Sequence, residues 1–512
     1  MKKTVYTFLL GCLILSISCT KNIDIYPVSN LYDGAFYRNI DEVNVAITGC
    51  YNGMQKPMYD EWSMTELRSD NSIMGNPTSG SSDNRELSEM DMFMPNTYND
   101  LIYNYWLHTY YNIYNVNKVL KSLSVNYAPS DSTISYDSLT IPVTENDRKK
   151  VAAEATFIRA YHYFNLVRLY GGVFLIHTPV SPAEAKGINR SSVDSIYNFI
   201  IADLKNTIAY GNSSTYQSIS TKDIGRANVW SAKALLAKVY LTLNRKYDAL
   251  ILLNDIITNS GYSLQSNYSD VFSINNEMNA EILFAVRYKS GNFGLGSPFP
   301  NLFAPSGSGL AVVNGDGKGY NYPATELQGA YNTLDPRKSF NISLYISKWY
   351  VNKYISNFAI ANDAENDWPV IRYADVLLML AEAKGFTSES IDLINQIRAR
   401  VGLSLLSIAT TNTVQLFEKA LSDERRFEFA FENQRWFDLV RFNKTLSTIT
   451  AEQVIKNHFA AMYASHYGKY PAPALTLEQL QSYVTANHLL LPIPQKEIDN
   501  NTNIVIPQNP GY

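Results

Sequence analysis

Hydrophobic residues recur at helical spacing along much of the chain. In AEATFIRAYHYFNLVRLYGG, apolar residues from 157 to 167 form one stripe, and Gly171-Gly172 provides a stop. In RANVWSAKALLAKVYLTLN, Trp230, Ala234, Ala237 and Leu241 form a second stripe. The pattern therefore predicts a mainly α protein. Comparable stripes occupy residues 101–122, 192–208, 246–259, 369–384, 389–401 and 414–442.

Two pairs of predicted helices resemble each other. LLAKVYLTLNRKYDALILLNDI and LMLAEAKGFTSESIDLINQI each contain an alanine-centred helix, a polar turn and a helix with Leu/Ile at spacing three and four. Small residues such as Ala237 and Ala381 would allow two helices to approach closely. This pattern is typical of stacked tetratricopeptide hairpins. Any antiparallel helical hairpin would also show it, so these two segments alone leave both interpretations open.

The segment between about 260 and 368 has a different composition. Residues 291–329 contain nine of the 25 glycines, and residues 288–354 contain twelve aromatic residues. The run from Ser290 to Pro323 is too rich in Gly, Pro and Ser to form a helix, which predicts long loops. The aromatic content argues against disorder. A second loop-like stretch is predicted at 71–88.

The N-terminus has the order of a secretory signal. Lys2 and Lys3 precede an apolar run that ends at Ile17 and a small Ser18, and this run is too short for a membrane span. Cys19 follows directly, as in the lipobox of bacterial lipoproteins, although Leu15 lies four positions before it rather than three. We therefore expect a signal peptide at 1–18 and lipidation of Cys19. The alternative is a plain secreted protein with an incidental cysteine.

Charge and cysteine content exclude several classes of protein. The formal net charge is −4, and there is no basic surplus that would favour nucleic acid as a partner. The chain has three cysteines, and with Cys12 in the signal and Cys19 acylated, Cys50 has no partner. A disulfide framework is therefore excluded. The 37 tyrosines suit both a large core and the binding of polar rings.

The sequence lacks the common catalytic motifs. It contains no His-Glu-x-x-His, Gly-x-Ser-x-Gly or Cys-x-x-Cys pattern. His458 and His466 are expected to be packed or solvated rather than metal ligands. The acidic run at 362–368 lacks the glycine of a calcium loop, which favours a surface charge cluster. Asp423 and Glu424 stand beside two arginines in a helical pattern, which favours an ion-pair network on a helix face.

Several segments together resemble the SusD/RagB family of nutrient-binding lipoproteins of Bacteroidetes. They follow the family's order from residue 19 to residue 512, so the resemblance implies one SusD-like domain across that range. It also implies tetratricopeptide-like units at about 101–259 and 369–442, with a loop-rich ligand-face insert at about 260–368. The segments are CTKNIDIYPVSNLYDGAFYRNIDEVNVAITGCYNGM, AEATFIRAYHYFNLVRLYGGVFLI, DPRKSF, RYADVLLMLAEAK, INQIRARVGL, ERRFEFAFENQRWFDLVRF and LLPIPQKEIDNNTNIVIPQNPGY.

The resemblance implies capture of a glycan or oligosaccharide without catalysis and without a cofactor or metal. The captured ligand would pass to a SusC-like, TonB-dependent receptor in the outer membrane. Cys19 would hold the protein on the exterior face of that membrane through a lipid anchor. Two alternatives remain open: peptide or glycopeptide capture by the same architecture, and a tetratricopeptide scaffold without a small ligand. A scaffold, however, has no use for the aromatic, glycine-rich insert.

The candidate ligand site combines polar and aromatic residues from two segments. Asp70 and Asn71 match the start of the loop that carries aromatic platforms in starch-binding relatives, but residues 71–92 here contain no aromatic residue. The platforms are therefore expected elsewhere, in the glycine-rich loops. About half of the four rings proposed are expected to be buried loop anchors instead. The proposed rings are Phe293, Phe299, Tyr320 and Tyr322, and the proposed polar contacts are Asp70, Asn71 and Arg85.

Overall fold

The computed structural model describes residues 36–75, 82–470, 475–501 and 503–512. The predicted signal peptide and the expected lipidation of Cys19 lie outside the described residues. No helix in the described part of the chain is both long and apolar enough to cross a bilayer. Cys50 is buried and unpaired within those residues, and burial raises the pKa of its thiol to about 12.

Nineteen α-helices lie within the described residues. They are α1 (Ile40–Asn52), α2 (Gln55–Thr65), α3 (Ser82–Asp91), α4 (Asp100–Ser122), α5 (Glu145–Tyr170), α6 (Pro182–Ala185), α7 (Val193–Tyr210), α8 (Val229–Thr242), α9 (Lys246–Asn259), α10 (Phe299–Phe303), α11 (Thr325–Ala330), α12 (Pro336–Asn341), α13 (Tyr373–Lys384), α14 (Ser388–Arg400), α15 (Val414–Glu428), α16 (Arg435–Thr445), α17 (Ala451–Met462), α18 (Leu477–Tyr483) and α19 (Gln495–Asn500).

The long helices pack as a continuous series of antiparallel neighbours. Helices α4, α5, α7, α8 and α9 each contact the next, and α9 then packs against α13, which pairs with α14. The two hairpins that resemble each other in sequence are α8–α9 and α13–α14. Ala237 and Ala381 are fully buried at their contacts, as close helix packing requires. The fold is therefore mainly α, with tetratricopeptide-like hairpins, as predicted.

Two predicted helical segments differ in the structure. Residues 368–372 form strand β8 rather than the first turn of α13. The segment 414–442 is divided into α15 and α16. Phe431 and Asn433 adopt left-handed backbone conformations, with φ of 65° and 60°, and a right-handed helix cannot continue through them. The apolar stripe continues across the break because both helices face the same core.

The described residues form four antiparallel two-stranded sheets. Two of them join parts of the chain that are distant in sequence, and two are local hairpins. β1 (Ser72–Met74) pairs with β5 (Asn321–Pro323), and β4 (Ile282–Val286) pairs with β8 (Trp368–Arg372). The local hairpins are β2–β3 and β6–β7. Their strands are β2 (Val125–Ala128), β3 (Thr133–Tyr136), β6 (Ile342–Tyr345) and β7 (Lys348–Val351).

The loop-rich insert at 260–368 contains more regular secondary structure than the sequence predicts. All five residues of β4 are buried, and this strand ties the insert to the start of α13 through β8. The short helix α10 occupies part of the run that was expected to contain no helix, and all five of its residues are buried. One main hydrophobic core extends from α1 to the C-terminal residues and includes the insert.

A network of buried ion pairs links the insert to the C-terminal helices, and we call it the buried ion-pair core. Arg372 contacts Glu281 at 2.6 Å, Glu428 at 2.9 Å and Glu432 at 2.8 Å, and all four residues are almost completely buried. Arg337 contacts Glu424 at 2.6 Å in the same network. The predicted ion-pair network on α15 is thus confirmed. Most of it lies inside the protein rather than on its surface.

Candidate functional site

Asp70 lies inside the protein rather than at the edge of a binding site. Its carboxylate accepts hydrogen bonds from Arg435 Nε at 2.7 Å and Nη2 at 2.9 Å, and Arg426 Nε lies 3.2 Å away. Burial raises the pKa of Asp70, but the two arginines outweigh it and hold that pKa well below its usual range. The prediction that Asp70 contacts a ligand is therefore wrong.

Asn71 is also buried, and it positions strand β1. Its side-chain oxygen accepts a hydrogen bond from Arg426 Nε at 2.9 Å, and its backbone oxygen accepts one from the N–H of Ala324 at 2.9 Å. The prediction that Asn71 contacts a ligand is wrong for the same reason as that for Asp70. Arg85 is exposed on α3, where it lies 3.3 Å from Glu86, and its contact with a ligand stays a prediction.

The prediction that Phe299, one of the four proposed rings, is a ligand platform is wrong. It begins α10, is fully buried, and its ring centroid lies 4.4 Å from that of Trp368 and 6.1 Å from that of Tyr354. The apolar residues of α10 and the paired strand β8 enclose it. A ring packed on all sides has no free face for a ligand, so Phe299 is part of the core.

Phe293 is the most exposed of the four rings, at 69%. Its loop is held by Asp363, whose carboxylate accepts hydrogen bonds from the backbone N–H of Gly291 and of Asn292, each at 2.8 Å. The acidic run at 362–368 therefore fixes the loop 287–292, and Asp363 is buried rather than part of the surface charge cluster that the sequence predicts. The role of Phe293 as a platform stays a prediction.

Tyr322 lies on β5 with its ring against two glycines. A Cβ atom at Gly75 would lie 2.5 Å from the ring, and one at Gly319 would lie 3.0 Å from its hydroxyl. Only glycine leaves room for the ring at Gly75, and Gly319 has a φ of 64° that also favours glycine. The Tyr322 side chain is half-buried, and burial raises its pKa to about 12. One side of the ring is thus supported by backbone.

Tyr320 is partly buried and packs against the main core. Its backbone N–H donates a hydrogen bond to the carbonyl of Leu302 at 3.0 Å. The structure therefore places Tyr320 and Tyr322 on the same short segment, with Tyr320 closer to α10. The role of Tyr320 as a platform stays a prediction.

The hairpin β6–β7 carries another partly exposed aromatic residue, Trp349, on a strand that packs against β5. Trp349 lies opposite Leu344 in the hairpin, and their side chains are 38% and 48% exposed. β7 packs alongside β5, and Lys348 Nζ donates a hydrogen bond to the carbonyl of Ser306 at 3.2 Å. Ile346 stands at the turn and is 83% exposed. We call the surface formed by Tyr322, Leu344, Ile346 and Trp349 the aromatic face.

Sequence reasoning missed Trp349. It is one of the twelve aromatic residues of 288–354, but the four rings predicted as platforms all lie in the segment where the sequence predicts glycine-rich loops. The alternation in ISLYISKWYV was the available signal, since it predicts a hairpin with one exposed face. That the face lies next to β5 depends on tertiary packing.

Buried polar atoms without partners lie beneath the aromatic face. Within the described residues, neither side-chain atom of Asn321 has a hydrogen-bond partner, and the same holds for the hydroxyl of Ser72. Asn321 pairs with Met74 and Ser72 with Pro323 in the same two-stranded sheet. Buried polar atoms usually have a partner in the protein, in water or in a ligand. Asn321 and Ser72 are themselves fully buried, so these atoms lie below the surface rather than at the edge of the aromatic face.

Potential metal ligands are dispersed or packed in the described part of the chain. No group of three or more His, Cys, Asp or Glu among the described residues could hold a metal ion. His458 and His466 are buried and pair with Glu326 and Asp91, as expected for packed histidines. Burial raises the pKa of Glu66 to about 8, but this carboxylate is enclosed and accepts a hydrogen bond from the N–H of Asn433.

Comparisons with known proteins extend over nearly the whole chain. The SusD family model matches residues 326–512, and a model described as "Starch-binding associating with outer membrane" matches residues 27–241. SusD-like protein P25 of Formosa agariphila is 25% identical over 516 residues, covering 87% of this chain and 90% of the relative.

Solved structures show the same fold. A laminarin-binding SusD-like protein superposes with a TM-score of 0.72 at 24% identity, covering 93% of this chain and all of that one. Surface glycan-binding protein A from Bacteroides thetaiotaomicron, solved with laminarihexaose, gives a TM-score of 0.71 at 19% identity, covering 92% of this chain and 99% of that one. The ordered motifs, the helical architecture and the two family models agree: the chain belongs to the SusD/RagB family.

Proposed function

We propose that this protein captures glycans or oligosaccharides at the aromatic face. The observation that carries the proposal is the pair of partly exposed rings, Tyr322 and Trp349, on two adjacent strands. Sugar rings present apolar C–H faces that stack on flat aromatic side chains, and their hydroxyls bond to polar groups at the edges. Two structural relatives, one described as laminarin-binding and one solved with laminarihexaose, support a glycan as the ligand.

Capture would serve import rather than chemistry. The family model that matches residues 27–241 is described as associating with the outer membrane, which supports that location for this chain. Cys19 would carry the lipid anchor there, on the exterior face. A TonB-dependent transporter of the SusC type would receive the captured ligand. Several acyl chains anchor a protein stably, whereas a single chain gives only marginal binding.

Calorimetric titration with an oligosaccharide panel that includes laminarihexaose tests the site. For the oligosaccharide that binds, Trp349→Ala and Tyr322→Ala should each weaken affinity roughly fivefold to tenfold, as expected for the loss of one stacked ring. The melting temperature should change little with Trp349→Ala. Tyr247→Ala is the matched control, since this ring is 76% exposed on α9 and lies outside the aromatic face. Equal affinities for all four proteins would contradict the assignment of the site.

Two experiments test the anchor and the partner. Cys19→Ala should release the protein from the outer-membrane fraction, and retention after detergent-free washing would exclude the anchor. Affinity purification of the unaltered protein from native membranes should recover a large TonB-dependent receptor. Repeated recovery of the protein alone in mild detergent would argue against the partner.

A further inference from the structure

A cavity of about 400 Å³ lies between α1, the start of α2 and the end of β4. The residues of the insert that line it precede β5, β6 and β7 in the sequence. The segment Lys222–Arg226 forms its remaining wall. The cavity shares no lining residue with the aromatic face. Pockets for small ligands usually have volumes of about 300 to 1,000 Å³, so one or two sugar rings fit its size.

Two further cavities, of about 270 and 250 Å³, flank the same segment. Arg226 borders all three cavities. Its side chain is therefore next to three cavities rather than enclosed in a packed core. A guanidinium in such a position can be reached by a ligand from more than one side.

The lining of the 400 Å³ cavity is strongly one-sided in charge. Lys222, Arg226, Arg287 and Lys289 contribute cations, and no carboxylate of the described residues lines it. We call it the basic cavity. Cationic side chains around one concave surface offer N–H donors to an anion, although carboxylates outside the lining offset much of their charge.

Carboxylates outside the cavity lining pair with three of these four cations. Arg226 Nε donates to Glu154 at 2.8 Å, and Arg287 Nε donates to Asp367 at 2.6 Å. Lys289 pairs with Glu365. These carboxylates hold the cations in place without entering the cavity lining.

Several donors of the basic cavity remain open to a ligand. Within the described residues, Nη1 and Nη2 of Arg226 and Nη1 of Arg287 have no hydrogen-bond partner. Each arginine donates a hydrogen bond from Nε to a carboxylate, and Arg287 also donates one from Nη2 to Glu277. Lys222 is exposed and pairs with no described residue. Guanidinium groups with free N–H donors suit carboxylate and sulfate oxygens.

Gly225 allows the guanidinium of Arg287 to lie across the loop. Its φ is 82°, and a Cβ atom there would lie 3.3 Å from Arg287 Nη1 and 3.2 Å from Arg287 Cδ. The opposite wall is held by Gln55, whose side chain donates to the carbonyl of Arg287 at 2.7 Å, and by Tyr51, whose hydroxyl donates to Glu154 at 2.7 Å. The donors are therefore fixed before a ligand arrives.

We propose that the basic cavity binds the anionic group of an acidic sugar, a carboxylate or a sulfate. Free N–H donors of Arg226 and Arg287 bind the anion, Lys222 adds charge from the rim, and Tyr51 and Asn52 line the space for the ring. The choice of a sugar as the carrier of the anion rests on the proposed function. The site itself is independent of the aromatic face.

Calorimetric titration of the full chain with D-glucuronate, D-glucose and inorganic sulfate tests the proposal. Glucuronate should bind at least about tenfold more tightly than either glucose or sulfate. Arg226→Gln should weaken glucuronate binding about tenfold or more, and Lys222→Gln about threefold. Arg245→Gln is the control, because this exposed arginine pairs with Asp248 away from the cavity. It should leave the affinity unchanged.

The variants and arms separate the outcomes. Arg226→Gln also removes the partner of Glu154 and can lower stability, whereas Lys222→Gln removes only an exposed cation. Unchanged affinity for glucuronate in both Lys222→Gln and Arg287→Gln would therefore overturn the site. Equal affinity for sulfate and glucuronate would overturn the sugar as carrier. Trp349→Ala should leave glucuronate binding unchanged, so failure of the aromatic face and failure of the basic cavity are distinguishable.

Discussion

In the buried ion-pair core, Arg372 contacts three carboxylates and is almost completely enclosed, whereas in the aromatic face Trp349 and Leu344 stand partly exposed on a two-stranded hairpin. Both regions include residues of the insert at 260–368. In the core, polar groups are satisfied by one another and apolar surface is hidden. In the face, apolar surface is left open and nearby buried polar atoms of Asn321 have no partner within the described residues.

This difference separates residues that hold the fold from residues that are free to bind. Removing one partner of a buried ion pair lowers the free energy of unfolding by several kcal/mol, because the remaining charge is neither paired nor solvated. An exposed ring can be removed at small cost to the fold, since water replaces it. Substitutions in the two regions should therefore have opposite effects on stability and on binding.

The largest loss of stability is expected from Arg372→Met. The change leaves Glu281, Glu428 and Glu432 without their shared partner, and the free energy of unfolding should fall by about 3 to 5 kcal/mol. Urea unfolding followed by circular dichroism measures the change. Lys419→Met, which removes an exposed i,i+4 pair with Asp423, is the control and should cost about 0.5 kcal/mol or less. Similar losses for both variants would show that burial does not set the cost.

Phe299→Ala should produce the next largest effect. Deleting a fully buried phenylalanine removes its contacts with Trp368 and leaves a cavity, which typically costs about 3 kcal/mol or more. Phe293→Ala removes a ring of the same size from an exposed loop and should change stability by about 0.5 kcal/mol or less. Thermal melting of both variants makes the comparison. A stable Phe299→Ala with weakened glycan binding would return Phe299 to the binding face.

Glu66→Gln should reveal a pH dependence in the core. Burial raises the pKa of Glu66 from 4.5 to about 8, and the hydrogen bond from the N–H of Asn433 opposes this only in part. The folded state therefore holds this proton more tightly than the unfolded state. Its contribution to stability is complete below pH 4.5, declines as the pH rises toward 8, and is lost above that.

The variant and the unaltered protein should have similar stability at pH 5. At pH 9, Glu66→Gln should be more stable by on the order of 2 kcal/mol. Urea unfolding at pH 5, 7 and 9 measures this difference. Asp392→Asn, at an exposed position of α14, should follow the unaltered protein at every pH. A constant difference for Glu66→Gln across the range would exclude a shifted carboxyl group.

The smallest effect is expected at the tip of the aromatic face. Ile346 has a φ of 57°, a conformation that a β-branched residue adopts only at a cost. Ile346→Asn should therefore raise the free energy of unfolding by about 0.5 to 1 kcal/mol. Leu310→Asn is the control, as it replaces another highly exposed apolar residue without positive φ and should have no such effect. A loss of stability with Ile346→Asn would show that the side chain packs in the fold.

The helical scaffold could be predicted from local pattern. The stripe from 157 to 167 lies on α5, which ends at Tyr170 just before Gly171, whose φ is 72°. The α8–α9 and α13–α14 hairpins follow the paired segments. Helical periodicity is a property of neighbouring residues, so it is visible without a structure. The break between α15 and α16 was not predicted, because Phe431 and Asn433 are held in left-handed conformations by contacts distant in sequence.

The candidate site depended on packing, and the sequence predicted it only in part. Composition indicated that the insert carries aromatic residues in loops, but it could not show that Phe299 is fully buried and Tyr322 only half-buried. Phe299 is enclosed because α10 lies against β8, whereas Tyr322 is only half-buried, with its ring against Gly75, about 250 positions earlier in the chain. Local sequence determines which elements form, whereas exposure depends on which distant surfaces meet, and only the tertiary structure decides that.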